Sequence, residues 1–171
     1  PAAAILTDAV TLFRRLFAVD VVAVAVGPGI DLPPASGPSR PIQALPVELL
    51  VAALGTLTSP VVLAAGTWSP ALGAVLQALG LDGAVGPLAR DVVVLPFRVS
   101  TAGPPMCLAA TCETGRRATP TRDVPTAAAV PFLRLMSSHV EHLLRNSQLH
   151  AELARAQTRL LQTINDGLRA E

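Results

Sequence analysis

Three histidines are the residues of this chain best suited to metal chemistry: His139, His142 and His150. His139 and His142 are three residues apart, so a helix would place both imidazoles on one face, as a metal site requires. No third cysteine, histidine or carboxylate falls in register with them, although Glu141 and Glu152 lie nearby. The pattern therefore favours polar side chains at a contact between helices over a metal centre.

The two cysteines are the next candidates, because a thiolate is a nucleophile. Cys107 and Cys112 lie five residues apart in one predicted strand. Side chains at an odd separation point to opposite faces of a strand, and a short strand cannot bring them together. The spacing disfavours a disulfide between them and predicts two small buried side chains, the usual environment of free cysteine.

No nucleophilic triad or phosphate-binding loop is visible in the sequence. None of the serines stands in a nucleophile elbow or beside a loop that carries a histidine. Gly27-Pro28-Gly29 follows a predicted strand, but the prolines around it block the helix whose N-terminus would hold a phosphate. The residues that could do chemistry therefore favour binding over catalysis.

Composition excludes several classes of function. The formal net charge is +1, and all thirteen basic residues are arginine, with no basic cluster beyond Arg14-Arg15 and Arg116-Arg117. Nucleic-acid binding normally needs a basic face, so this domain is not expected to bind nucleic acid. No apolar run approaches the roughly 20 residues of a membrane span, and no secretory signal is visible. A cytoplasmic protein that does not bind membranes is expected.

Hydrophobic periodicity predicts an α/β domain of the α+β kind, with helices and strands interleaved. Apolar residues at spacings of three and four predict helices over residues 3–19, 47–57 and 70–79, the third capped by Ser69 and ended by Gly80. Short apolar runs predict strands over residues 21–26, 61–65, 91–99 and 106–114, with an edge strand at 42–45 in a proline-rich loop. This order suits a mostly antiparallel sheet with both terminal helices on one face and crossover segments on the other.

Residues 91–153 carry an ordered series of motifs. Leu95-Pro96-Phe97 ends one strand, residues 106–114 form a small-residue strand, residues 119–123 read Thr-Pro-x-x-Asp, and residues 146–153 read Asn-x-x-Leu-x-x-Glu-Leu. In this order they resemble the second half of a GAF domain, a small-molecule-sensing input module of signalling proteins. The resemblance implies a sensor or regulatory domain over residues 1–148 and a coiled-coil signalling helix over 149–171. Exclusive use of arginine is typical of a GC-rich genome, and the resemblance is to a module of bacterial, in particular actinobacterial, signalling proteins.

The resemblance also implies a ligand pocket on the sheet face away from the terminal helices. Carried over by position, its lining would come from Trp68, Phe97, Val99, Cys107 and Ala109. A ligand there would be small and apolar, although the same residues also suit an ordinary core. The sequence does not identify a cofactor. The cysteine context of bilin-binding GAF domains and the lysine-containing motif of cyclic-nucleotide-binding ones are absent, while haem attachment through a helix histidine is left open.

The final helix carries a heptad pattern, with residues recurring at alternating spacings of three and four. We call these residues the seam: Phe132, Leu135, His139, His142, Asn146, Leu149, Leu153, Ala156, Leu160 and Thr163. A parallel homodimer is expected to form chiefly through Asn146, Leu149, Leu153, Ala156 and Leu160, with the polar Asn146 fixing the register. Leu161, Ile164 and Leu168 offer a rival stripe near the end, and the first helix is expected to add to the contact.

Three functions follow from these features. The first, which the sequence favours, is a non-enzymatic homodimeric sensor that passes a signal through the final helix to an output domain. That output domain, covalently linked or a partner, would be a kinase, phosphatase, cyclase or transcription regulator. The second is a GAF-like scaffold that dimerises without a ligand. The third is a small redox enzyme that uses Cys107.

Overall fold

A five-stranded mixed sheet forms the centre of the fold, and helices cover both of its faces. The computed structural model describes residues 2–32, 41–81, 90–112 and 124–170. Within these ranges the chain is a mixed α/β domain of the α+β class. Its helices are α1 (Ala2–Leu16), α2 (Val47–Leu54), α3 (Pro70–Ala78) and α4 (Val130–Ala170), and a 3₁₀ turn (Ala127–Ala129) leads into α4. Its strands are β1 (Val19–Val26), β2 (Ile42–Ala44), β3 (Val61–Leu63), β4 (Val92–Phe97) and β5 (Met106–Cys112).

The strands lie in the order β2-β1-β5-β4-β3. The pairings β1–β5, β5–β4 and β4–β3 are antiparallel, and β2 runs parallel to β1. The expected mostly antiparallel sheet is therefore confirmed. So is the edge strand within residues 42–45, which has three residues.

Side chains that alternate along the central strands divide the core into two clusters. On one face of the sheet, Val24, Leu95 and Leu108 pack with side chains of α1 and α4. We call this the terminal-helix face. On the other, the crossover face, Val94 and Ala109 pack with side chains of α2 and α3. The expected placement of the terminal helices on one face and the crossover helices on the other is confirmed.

Local signals placed α3 correctly. The Ser69 hydroxyl accepts a hydrogen bond from the Leu72 N–H at 3.2 Å, and Pro70 occupies the first turn, where its missing N–H has no cost. After the helix, Gly80 adopts φ +72°, a left-handed conformation that glycine reaches without a Cβ clash. Both predicted boundary residues therefore act as expected.

Several predicted elements are shorter than their apolar patterns, among them β4, which covers Val92–Phe97 rather than 91–99. Helix α1 ends at Leu16 rather than residue 19, because Val19 pairs with Cys112 and so belongs to the sheet. Helix α2 ends at Leu54 rather than residue 57, because residues 55 and 56 form a turn. Strand β3 stops at Leu63 rather than 65, because a turn at residues 64–67 follows. Three predicted features lie outside the described residues: most of the connection at 81–90, the strand end at 113–114 and the Thr-Pro-x-x-Asp motif at 119–123.

Candidate functional site

Helix α4 is fixed to the sheet by apolar packing and by hydrogen bonds to the backbone of β4. Leu133, Met136 and Leu144 are buried in the cluster on the terminal-helix face. Three α4 side chains, spaced four residues apart, form hydrogen bonds with the backbone of Pro96 in β4 and of Arg98 and Val99 just after it. The Ser137 hydroxyl donates to the Pro96 carbonyl at 2.5 Å, the Arg98 N–H donates to the Glu141 carboxylate at 2.8 Å, and Arg145 Nε donates to the Val99 carbonyl at 3.2 Å.

These bonds occupy an edge of β4 that β3 leaves uncovered. Strand β3 pairs with residues 92–94 of β4 and extends no further. Pro96 has no N–H to offer a neighbouring strand, which is why proline is confined to strand edges. Side chains of α4 therefore take the place of a strand at this edge. Sequence reasoning missed this contact, and the available signal was the series Ser137, Glu141 and Arg145 on the helix face that carries Leu133 and Leu144.

The seam is exposed along its whole length. All ten of its residues are exposed, and Leu149, Leu153 and Leu160 keep 56%, 57% and 61% of their surface accessible to solvent. From residue 152 to residue 169 every described side chain of α4 is exposed. Beyond Arg155, no α4 side chain is buried against the described residues of its own chain.

Where α4 leaves the domain, the seam and the buried face of the helix lie on opposite sides. Leu144 is buried against the domain, whereas Asn146 is exposed. Residues two positions apart are separated by about 200° around an α-helix, which has about 3.6 residues per turn. The domain therefore holds one side of α4 and presents the seam outwards.

Two polar residues of the seam, Asn146 and His142, contact each other. Asn146 Nδ2 lies 3.1 Å from His142 Nε2, one helical turn away. His139 and His150 are also exposed on α4. In the part of the chain that the structure describes, no group of three or more histidine, cysteine or carboxylate side chains is placed to hold a metal ion.

Helix α1 contributes further exposed apolar side chains beside α4. Leu12 and Leu16, one turn apart on α1, keep 46% and 40% of their surface exposed. The ring of Phe17, just after α1, lies 6.0 Å from the ring of the seam residue Phe132. The exposed apolar surface therefore extends from the seam towards α1.

The five predicted pocket residues do not share one face of the sheet. Trp68, Cys107 and Ala109 lie with the cluster on the crossover face, whereas Phe97 and Val99 lie with the cluster on the terminal-helix face. The hairpin register is the reason, because Phe97 pairs with Met106 rather than with Cys107. A register difference of one residue moves a side chain to the opposite face.

The volume of space available to a ligand differs among the five predicted pocket residues. Trp68 packs over α3, where a Cβ at Gly73 would come within 3.3 Å of the indole Cδ1. Phe97 borders a void of about 10 Å³, barely the size of one water molecule. Val99 borders a cleft of about 400 Å³ at the end of the sheet. Of the predicted positions, Val99 therefore marks the space that could hold a small molecule.

Both cysteines are buried free thiols on opposite faces of β5, as their spacing predicted. Burial raises the pKa of Cys107 to about 12, an effect that a backbone hydrogen bond with Ala25 partly offsets. Burial and the nearby charge of Asp91 raise the pKa of Cys112 to about 11. A thiol that remains protonated at neutral pH is a poor nucleophile, which argues against the redox alternative.

Comparisons with models of known families, with curated proteins and with solved structures found no match to this chain. Among the described residues, no helix combines the length and the apolar character needed to cross a membrane.

Proposed function

We propose that this chain is a non-enzymatic, homodimeric sensor or regulatory domain whose helix α4 carries a signal to an output domain. The observation that carries the proposal is the seam. Ten residues in unbroken heptad spacing lie on the exposed side of a 41-residue helix. The span from Phe132 to Thr163 is about 47 Å at about 1.5 Å per residue.

A second copy of the chain is the occupant that best fits the seam. Its outer half consists mainly of leucine at heptad positions, and such a stripe left in water favours association. Parallel pairing would bring each seam leucine against its own copy. It would also place the Asn146 and His142 side chains near the dyad, where a polar pair fixes register at some cost in stability.

The bonds between α4 and β4 give the domain a means of acting on the seam. Ser137, Glu141 and Arg145 join the helix to the edge of the sheet at three successive turns. A change in the position of β4 would therefore be transmitted to the side of α4 opposite the seam. Output domains such as a kinase, phosphatase, cyclase or transcription regulator would respond to the resulting change in helix pairing.

The layer arrangement supports the resemblance to GAF domains. Helices α1 and α4 cover one face of the sheet and α2 and α3 cover the other, as that resemblance implies. The short β2, parallel to β1, departs from the clear second strand of a typical GAF domain. The proposal therefore rests on α4 and its seam more than on the sheet edge.

Sedimentation equilibrium tests the dimer directly. The wild-type chain should sediment as a dimer at micromolar concentration, and the variant with Leu153→Glu and Leu160→Glu as a folded monomer, because like charges would meet across the seam. The matched control carries Ala154→Glu and Thr158→Glu, which add the same charge on other sides of the helix and should leave the dimer intact. A monomeric wild-type chain, or a dimeric seam variant, would contradict the proposal.

Native mass spectrometry separates the sensor from a scaffold that dimerises without a ligand. A sensor purified from its own host should retain a fraction of chains with a small molecule bound. Dimers that never carry a bound molecule, whatever the growth condition, would favour the scaffold.

A further inference from the structure

A cleft of about 400 Å³ lies where α4 leaves the domain. Its walls are residues 27–31 after β1, residues 99–104 after β4, and one face of α4 between Leu144 and Arg155. Gly27 lets the first two walls touch, because a Cβ there would lie 2.6 Å from Pro104 Cγ. The cleft has the volume of a small-molecule site, for which about 300–1,000 Å³ is typical.

The floor of the cleft is apolar and its sides are polar. Buried Met106 and Leu144 and half-buried Val99 supply the apolar surface. Ser100, Ser147 and Gln148 add two hydroxyl groups and an amide. A few polar groups around an apolar surface are typical of sites that bind and orient a small ligand.

Two opposite charges border the same cleft without pairing with each other. Asp31 lies on the wall after β1 and Arg155 on α4. Among the described residues neither makes an ion pair, and Arg155 bonds through Nε alone, to the Ala151 carbonyl at 3.2 Å. The terminal nitrogens of Arg155 and the carboxylate of Asp31 are therefore available to a ligand.

We propose that this cleft binds a small zwitterionic molecule with an apolar body, its carboxylate at Arg155 and its ammonium group at Asp31. A guanidinium binds a carboxylate through paired hydrogen bonds, whereas a carboxylate on the protein repels a ligand that is only an acid. A ligand that carries both charges satisfies both side chains, and its apolar body covers Val99, Met106 and Leu144.

A regulatory role for this site rests on the proposed function of α4 as a signalling helix. The α4 turns from Leu144 to Arg155 line the cleft on one side and carry Asn146, Leu149 and Leu153 of the seam on the other. A bound ligand would join these turns to the loops after β1 and β4. It would thus favour one position of the helix at the point where the seam leaves the domain.

Four six-carbon probes test the ligand class by calorimetric titration of the full chain. Norleucine and 6-aminohexanoate carry both charges, while hexanoate and hexylamine carry one each. At least one zwitterion should bind more tightly than either singly charged probe. Binding of hexanoate as tight as that of the zwitterions, or no binding of any probe at millimolar concentration, would overturn the proposal.

Matched substitutions then locate the site. Arg155→Gln and Asp31→Asn should each raise the Kd of the better zwitterion by about fivefold, the change expected from losing one solvent-exposed charge pair. Arg159→Gln and Asp8→Asn remove the same charges away from the cleft and should leave the Kd unchanged. An Asp31→Asn variant that binds more tightly would show that the site takes a simple acid and would refute the zwitterion.

The same titration on the variant with Leu153→Glu and Leu160→Glu separates the two proposals. The cleft lies within one chain, so the monomeric variant should still bind the zwitterion, with a Kd that changes only by the coupling between the cleft and the seam. If the chain proves monomeric but still binds the zwitterion at Arg155 and Asp31, the dimer proposal is refuted and the binding site is not. Binding that disappears with the two glutamates would refute a site contained in one chain.

Discussion

Ser137→Ala tests the fixation of α4 to the edge of β4. The substitution removes the hydroxyl that donates to the Pro96 carbonyl at 2.5 Å, in a contact where Ser137 is only 7% exposed. A buried carbonyl that loses its partner costs about 1–3 kcal/mol. For a protein of this size, each kcal/mol lowers the melting temperature by about 2–4 °C. We therefore expect a decrease of about 2–12 °C.

Ser138→Ala is the matched control, because Ser138 is the next residue of the same helix and is exposed. Alanine is a better helix former than serine, by up to about 0.7 kcal/mol, and both variants gain this term. The difference between them in urea unfolding therefore isolates the bond to Pro96. Equal unfolding midpoints for the two variants would refute the account of how α4 is held.

Three further predictions concern the core. Phe97→Ala should reduce the free energy of unfolding by about 3–5 kcal/mol in urea titrations. The reason is that the ring is only 3% exposed, within the cluster beneath α1 and α4. A loss below about 1 kcal/mol would place β4 outside the core. Cys107 and Cys112 should not react with a disulfide reagent at pH 8 until the chain unfolds, and rapid reaction of the folded protein would contradict their burial. The pKa of each thiol in the folded chain is raised above the ordinary value of 9.0. The protonated thiols therefore contribute stability that is present below pH 9, and this stability is lost as the pH rises towards about 11 to 12, because the thiols of the unfolded chain ionise first. Unfolding midpoints measured at pH 8 and pH 11 in the wild type and in Cys107→Ala check the sign, since the variant should lose less.

Sequence signals that act over a few residues made much of the fold predictable. Ser69, Pro70 and Gly80 act within a few residues of themselves, so the limits of α3 could be derived without knowledge of the rest of the chain. The seam was equally accessible, because the heptad spacing depends on the helix alone. The exposure of the seam agrees with the heptad pattern, while the second copy of the chain that would cover the seam remains a prediction.

Long-range pairing explains what the sequence did not reveal. The last residues of the first apolar pattern join the sheet because Val19 pairs with Cys112, more than ninety positions away. The pairing of Phe97 with Met106 depends on the path of the hairpin loop, and it decides which face each predicted pocket residue occupies. The cleft combines four separate segments of the chain, so no single sequence motif predicts it.

Oxidative cross-linking at the seam is the measurement that tests the parallel dimer most directly. Cysteine at position 153 would face its own copy in an in-register parallel pair, within the short Cβ separation that a disulfide needs. Thr158→Cys is the control, since residue 158 lies well away from the seam around the helix. Native Cys107 and Cys112 are buried and should contribute little background. The account predicts covalent dimers from Leu153→Cys and few from Thr158→Cys, whereas equal yields or no dimers from both would contradict it.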